Sequence, residues 1–275
     1  MTTSMPLILL IACLGLQSPP AVQQPAASTT SPVVLPLARG VFSRYINAVG
    51  GRVAIWDLES FTANATLGIE GTEAEGKMDL AFRKPDLMRI RVDLGQMGTS
   101  EVGSDGEIAW EIVTTDDGTE SEELIDLSDS RERRRTLNWF ELAIRINADA
   151  RVLKTIGPAD FEGHACWEVQ KINRAGLEER IFIDRNSYLL RGIRMIESSI
   201  GGEYEVTMSF RNWKPVKPLM LFHELAISAQ EMELTVVFDS ISLDKAAPDL
   251  FLPPQSIIDL VNEAVPTPPT TDQAP

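Results

Sequence analysis

The spacing of apolar positions changes period along the chain. From Leu37 to Val49, the residues Val41, Tyr45, Ile46 and Val49 recur at helical spacing and Gly50-Gly51 follows as a stop, which predicts one short amphipathic helix. From Phe61 the period drops to two. Phe61, Ala63, Ala65, Leu67 and Ile69 alternate with Thr62, Asn64, Thr66 and Gly68. Met78, Leu80 and Phe82 alternate with Asp79, Ala81 and Arg83, and Met88, Ile90 and Val92 with Arg89, Arg91 and Asp93. Alternation of this kind marks strands with one face in a core, and the short links between them require antiparallel pairing.

Ser104-Asp105-Gly106 signals a turn before a strand at Ile108 to Val113, and the acidic stretch Thr114 to Asp129 reads as a hairpin tip or mobile loop. Arg131 to Ile146 restores a helical period through Leu137, Phe140 and Ile144. Further strands are expected at 152–156, 166–172, 180–184, 189–197, 204–213, 219–227 and 232–243. The expected fold is mainly β (α+β): roughly a dozen antiparallel strands in one large curved sheet, its apolar face covered by the two helices. The pattern fades beyond Pro248, so the folded body is placed at 39–256 and a disordered tail at 257–275.

Charge divides the chain differently. Of 275 residues, 25 are Lys or Arg and 40 are Asp or Glu, a net charge of −15, and none of these occurs before Arg39. An acidic body opposes phosphate binding driven by clustered cations, which argues against nucleic acid as a partner and disfavours an acidic membrane surface. A hydrophobic content of 44% supplies a core. The uncharged start contains an apolar run, Pro6 to Leu16, of signal-peptide length and too short to span a bilayer, so residues 1–17 read as an export signal and 18–38, rich in Pro, Ala, Ser and Gln, as a flexible tether. Leu10-Ile11-Ala12-Cys13 resembles a bacterial lipobox. Cys13 is thus either a lipidation site or one more apolar residue of a signal cleaved further on.

Little else points to chemistry. His164 and His223 are the two histidines, with no zincin spacing, and no phosphate-binding glycine loop or nucleophile elbow occurs, so neither a metal nor a cofactor is expected. Glu73, Glu75, Asp79 and the run 116–129 read as solvated carboxylates. Arg131-Glu132-Arg133-Arg134-Arg135 is placed to balance the acidic run before it, or to meet lipid headgroups or an acidic partner. Cys166 lies two residues from His164, which on a strand puts both on one face; the pair is either a reactive thiol with its base or a buried inert Cys. Aromatic and Met residues on the strands either line an apolar cavity or fill the core.

Five segments resemble the LolA/LolB-like periplasmic lipoprotein carriers and related outer-membrane lipoprotein-sorting proteins: Tyr45 to Gly51, Gly76 to Arg89, Ser104 to Trp110, Phe161 to Trp167, and Phe182-Ile183-Asp184 to Tyr188-Leu189-Leu190. The resemblance implies an incomplete antiparallel β-barrel lidded by helices, whose cavity takes acyl chains of a lipoprotein or another lipid. On that reading Phe61, Met78, Leu80, Phe82, Met88, Ile90, Trp110, Trp167 and Phe182 line the cavity. In the carriers an Arg before the Pro of this strand takes part in gating; here Lys84 stands there and Arg83 precedes it, so a bidentate contact is not made in the same way. The implied protein is a non-enzymatic component of the bacterial envelope, periplasmic or anchored through Cys13, with acyl chains or a lipidated protein as partner. The alternatives are a ligand-free scaffold that presents the acidic run to a protein partner and, third, an enzyme built on Cys166 and His164.

Overall fold

The computed structural model describes residues 34–72, 75–141, 150–199, 202–230 and 232–264. The expected signal, Cys13, the tether up to residue 33, Glu73 and the last residues of the tail lie outside the described residues, as does the expected helix beyond 141.

Thirteen strands form one antiparallel sheet: β1 (Ser60–Ile69), β2 (Glu75–Arg83), β3 (Leu87–Asp93), β4 (Thr99–Ser104), β5 (Ala109–Thr114), β6 (Glu120–Leu124), β7 (Ala150–Phe161), β8 (His164–Asn173), β9 (Glu178–Asp184), β10 (Leu190–Ser199), β11 (Gly202–Val216), β12 (Leu219–Ala229) and β13 (Met232–Leu243). Their order is β6-β5-β4-β3-β2-β1-β13-β12-β11-β10-β9-β8-β7, so the sheet does not close on itself and β6 and β7 are its edges. Four helices occur among the described residues: α1 (Ala38–Ala48), α2 (Arg52–Asp57), α3 (Leu127–Leu137) and α4 (Gln255–Ala264). Every neighbouring pair except β1 with β13 is consecutive in sequence, the arrangement that short links impose. This open antiparallel sheet with helices is the architecture that the sequence leads one to expect.

By contacts the chain divides into two compact units. One contains the described residues up to Asp57, Thr66–Glu75 and Phe140–Asp239; the other contains Leu58–Ala65, Gly76–Trp139 and the residues from Ser240 onward.

In the first unit, α1 buries Val41, Phe42, Tyr45 and Ile46, the face its periodicity predicts. Its C-terminus is closed by bonds from Gly50 N–H to the Asn47 carbonyl and from Gly51 N–H to the Ile46 carbonyl, both glycines having positive φ. A Cβ on Gly50 would lie 2.9 Å from the Pro218 carbonyl oxygen, so the glycine also permits the close approach of β12. Phe222 is the hub of an aromatic cluster, with ring centroids 4.8 Å from Phe140, 5.0 Å from Phe210, 5.6 Å from Trp213 and 5.7 Å from Phe238. Tyr45 meets Trp213 edge-on, and burial pushes its hydroxyl pKa upward.

In the second unit the chain departs from expectation in two places. Much of the acidic stretch 114–129 is a hairpin: Asp117 accepts bonds from Thr115 Oγ1 (2.6 Å) and Thr119 N–H (2.9 Å), which folds the tip and lets β6 pair with β5. Those donors hold the exposed Asp117 carboxyl down at about 2. The other departure is at the C-terminus, where residues 257–264, expected in the tail, complete α4. Ile257 is fully buried there, and Ser256 Oγ donates to Glu122 on β6. Ile257, Leu260, Val261 and Ala264 recur at helical spacing, and packing on the sheet rather than propensity stabilises so short a helix.

Candidate functional site

The second unit contains most of the residues expected to line a cavity. In the β2–β3 register Leu80 faces Ile90, Phe82 faces Met88 and Met78 faces Val92, so these side chains stand on one side of the sheet. Phe61 on β1 joins them, its ring stacked on Phe82 at 4.9 Å. Phe61, Met78, Leu80, Phe82, Met88 and Ile90 are all buried.

Trp110 does not belong to this face. Ile90 pairs with Val102, but Trp110 pairs with the next residue, Gly103, and therefore points the other way. Its indole lies over Gly103, where a Cβ would come within 2.1 Å of the ring, and its N–H donates to Glu101 at 3.4 Å. Alternation within one strand gives the parity of its residues but not which side of the sheet they occupy. The same correction applies in the first unit. Trp167 pairs with Ile183, and Phe182 is the neighbour of Ile183, so the two aromatics stand on opposite sides. Phe182 instead stacks on Phe161 at 4.7 Å beside Cys166, with the Arg194 guanidinium 5.1 Å from its ring centre. Half-buried Trp167 carries the Arg185 guanidinium at 4.6 Å.

Helix α3 covers the Phe82 face. Arg134 lies 5.8 Å from the Phe82 ring centre, and Arg133 Nη1 lies 3.0 Å from Glu111 Oε2 with both side chains largely out of water. Glu111 pairs with Val102, which places it on the same side as Ile90. Arg131 Nε donates to Asp86 Oδ2 at 2.9 Å in the β2–β3 turn. Neither carboxylate belongs to the run 116–129, so the basic cluster attaches the helix to the sheet instead of only balancing the acidic stretch. The opposite face, that of Trp110, is met by the chain after β13: Phe251 packs with Ala81 and Ala246, and Arg89 Nη1 donates to the Leu250 carbonyl at 3.3 Å.

The expected gating pair lies at the β2–β3 turn. Lys84 Nζ is 3.8 Å from Glu59 Oε1, an exposed pair worth little, and Arg83 Nη1 donates to the Ala246 carbonyl at 3.4 Å. Asp86, two residues further on, makes the contact to the helix. Its partner Arg131 is distant in sequence, and only the fold brings the two together.

Cys166 is fully buried, and burial, reinforced by the Asp184 charge, pushes its thiol up to about 12. His164 Nδ1 lies 3.7 Å from Asp184, not paired with the thiol. The thiolate that nucleophilic chemistry needs is thus scarce near neutral pH. Among the described residues no group of three His, Cys, Asp or Glu could hold a metal ion, and no helix is long and apolar enough to cross a membrane.

No family model matches the chain, and no curated protein matches it in sequence. Solved structures do. A DUF1329 family protein from Desulfovibrio piger superposes with a TM-score of 0.52 at 8% identity, covering 80% of this chain and 98% of that one. A LolA superfamily protein from Nitrosomonas europaea gives 0.48 at 8% identity over 80% and 99%, and an outer membrane lipoprotein-sorting protein domain from Vibrio parahaemolyticus 0.43 at 12% over 81% and 96%. At these identities the likeness concerns fold alone.

Proposed function

We propose that this is a non-enzymatic envelope protein that holds an acyl chain, of a lipoprotein or another lipid, against the Phe61, Met78, Leu80, Phe82, Met88 and Ile90 face. The observation that carries this reading is the manner in which that face is covered. Six apolar side chains are capped by a helix of sequence LSDSRERRRTL, attached chiefly through arginines. At about 25 cal/mol per Å² of apolar surface, a helix with two leucines gives up little hydrophobic stabilisation when it lifts, while an acyl chain that takes its place gains much. A cover held by ion pairs suits an opening element better than a permanent part of the core. The LolA-like fold supports the same reading. An exported protein, anchored at Cys13 or free in the periplasm, fits the charge-free start of the chain.

The test is recovery of the full chain from its native envelope, with bound lipid identified by mass spectrometry, and titration of the delipidated protein with a fluorescent fatty acid. Saturable binding at one site, lost in Leu80→Asp but kept in the opposite-face variant Trp110→Phe, is the expected result. Absence of both recovered lipid and saturable binding overturns the proposal and leaves the scaffold reading.

A further inference from the structure

We infer that a second site, in the first unit, binds a phosphoryl group carried on an apolar organic moiety. A cleft of about 510 Å³ lies between α1 and the start of β7, lined by Arg39, Ser43, Ile46, Arg52, Arg151 and Leu153 among others. The volume is that of a small-molecule site and well beyond a bare phosphate.

The charge of this cleft runs against that of the chain. The protein carries −15, yet three arginines and, among the described residues, no carboxylate line the opening. Several other arginines pair with carboxylates: Arg89 with Glu101, Arg131 with Asp86, Arg133 with Glu111, Arg180 with Glu168, Arg191 with Asp184 and Arg211 with Glu162. Arg39, Arg52 and Arg151 have no ion-pair partner among the described residues. Arg39 also sits in the first turn of α1, where the helix dipole already presents positive charge and no acidic residue balances it. Three like charges around one cleft repel each other, and an anion relieves that repulsion at all three.

The guanidinium group selects the ligand class. Its planar fork of N–H donors matches two oxygens of a phosphoryl group, and a tetrahedral phosphate offers enough oxygens to engage more than one arginine together with the Ser43 hydroxyl. Ile46 is buried and Leu153 half-buried at the same cleft, which gives apolar contact for the rest of the ligand. The chemistry is shared by a free phosphate ester and by the phosphodiester headgroup of an anionic lipid. This site is distinct from the acyl-binding face and does not rest on it.

The experiment is calorimetric titration of the full chain with inorganic phosphate, with monomeric dihexanoylphosphatidylglycerol and with dihexanoylphosphatidylcholine. Saturable binding of phosphate or of the phosphatidylglycerol is expected, weakened about tenfold or more in Arg39→Gln/Arg52→Gln/Arg151→Gln and by raising NaCl from about 0.05 to about 0.5 M. Binding that includes phosphate itself assigns a free ester. Binding of the phosphatidylglycerol without phosphate assigns a headgroup. No binding of either, equal binding by the triple variant, or equal affinity for phosphatidylcholine overturns the inference. The three side chains are exposed, so an unchanged circular dichroism spectrum is expected of the variant, and its unaltered uptake of the fluorescent fatty acid separates this site from the acyl face.

Discussion

Arg133 on α3 and Glu111 on β5 form an ion pair at 3.0 Å that is almost wholly withdrawn from water, the arginine side chain 15% and the carboxylate 5% exposed. It ties the cover helix to the apolar face beneath. Removing one partner leaves a buried charge without its counter-ion, a loss of roughly 3–5 kcal/mol, whereas replacing both with apolar residues of similar volume is often neutral or stabilising. Glu111→Ala is therefore expected to lower stability by a few kcal/mol in urea unfolding and to speed hydrogen exchange across Leu127–Leu137. Arg133→Met/Glu111→Leu should recover the stability. If α3 is the opening element, the double variant should also take up a fluorescent fatty acid more slowly than the wild type, because its cover is then held by apolar packing.

Gly192 is required for the opposite face of the first unit. A Cβ there would lie 2.0 Å from the Phe161 ring, which is itself stacked on Phe182. Gly192→Ala forces the stack to move, and overpacking of this kind costs about 1–3 kcal/mol. In a double-mutant cycle with Phe161→Leu, which shortens the obstructing side chain, the two losses should sum to less than expected from the single variants.

Much of the sheet was legible because alternation is a local property: Met78, Leu80 and Phe82, or Met88 and Ile90, reveal a strand without reference to any neighbour. Face assignment is not local. Only the pairing of Trp110 with Gly103 and of Glu168 with Phe182 decides the side of its strand on which each ring stands. The start of helix α3 is not legible in periodicity, since Leu127–Leu137 has no apolar stripe and is positioned by Arg131 and Arg133 reaching acids far away in sequence. The cation cleft is non-local in the same way. Arg39, Arg52 and Arg151 look like ordinary surface residues until the fold sets them around one opening.

Acid should weaken the β7–β8 turn. Glu162 has a positive φ of 50° in that two-residue turn and binds Arg211 through Oε1 (2.6 Å) and Oε2 (2.9 Å), with Ser209 Oγ also donating at 2.7 Å. Hydrogen bonding by Arg211, helped by Ser209 against the effect of burial, holds the Glu162 carboxyl below its ordinary value of 4.5. A carboxylate with a depressed folded pKa stabilises fully above its unfolded pKa and loses that contribution as pH falls through the folded value. Wild type should therefore exceed Glu162→Gln in stability by a constant margin above about pH 5, of about 1 kcal/mol or less for so exposed a pair, and the margin should shrink as pH falls below that and through the lowered folded value.

Cys166 should behave as a packing residue. In a Cys13→Ser background, an aromatic disulfide reagent at about pH 8 is expected to label the folded chain on the order of a hundredfold more slowly than the urea-unfolded chain, because the thiol is buried and mostly protonated. His164→Ala should leave the folded rate unchanged, since His164 faces Asp184. A rate that drops with the histidine would instead restore the pair as a reactive centre.

The C-terminal helix tests where the folded body ends. Ile257 is completely buried, on the apolar stripe of Ile257, Leu260, Val261 and Ala264 between Pro253-Pro254 and a Pro-rich stretch. Truncating such a side chain removes its transfer free energy and leaves a cavity, together about 2–5 kcal/mol for Ile to Ala and about 0.5–1.5 for Ile to Val. Ile257→Val and Ile257→Ala should fall in that order in urea unfolding, and a chain ending after Pro254 should lose at least as much as the alanine variant. Ser256→Ala, which removes only the bond to Glu122 on β6, should cost about 1 kcal/mol. A chain ending after Pro254 with wild-type stability would show that α4 contributes nothing to the sheet it covers and return the boundary to residue 256.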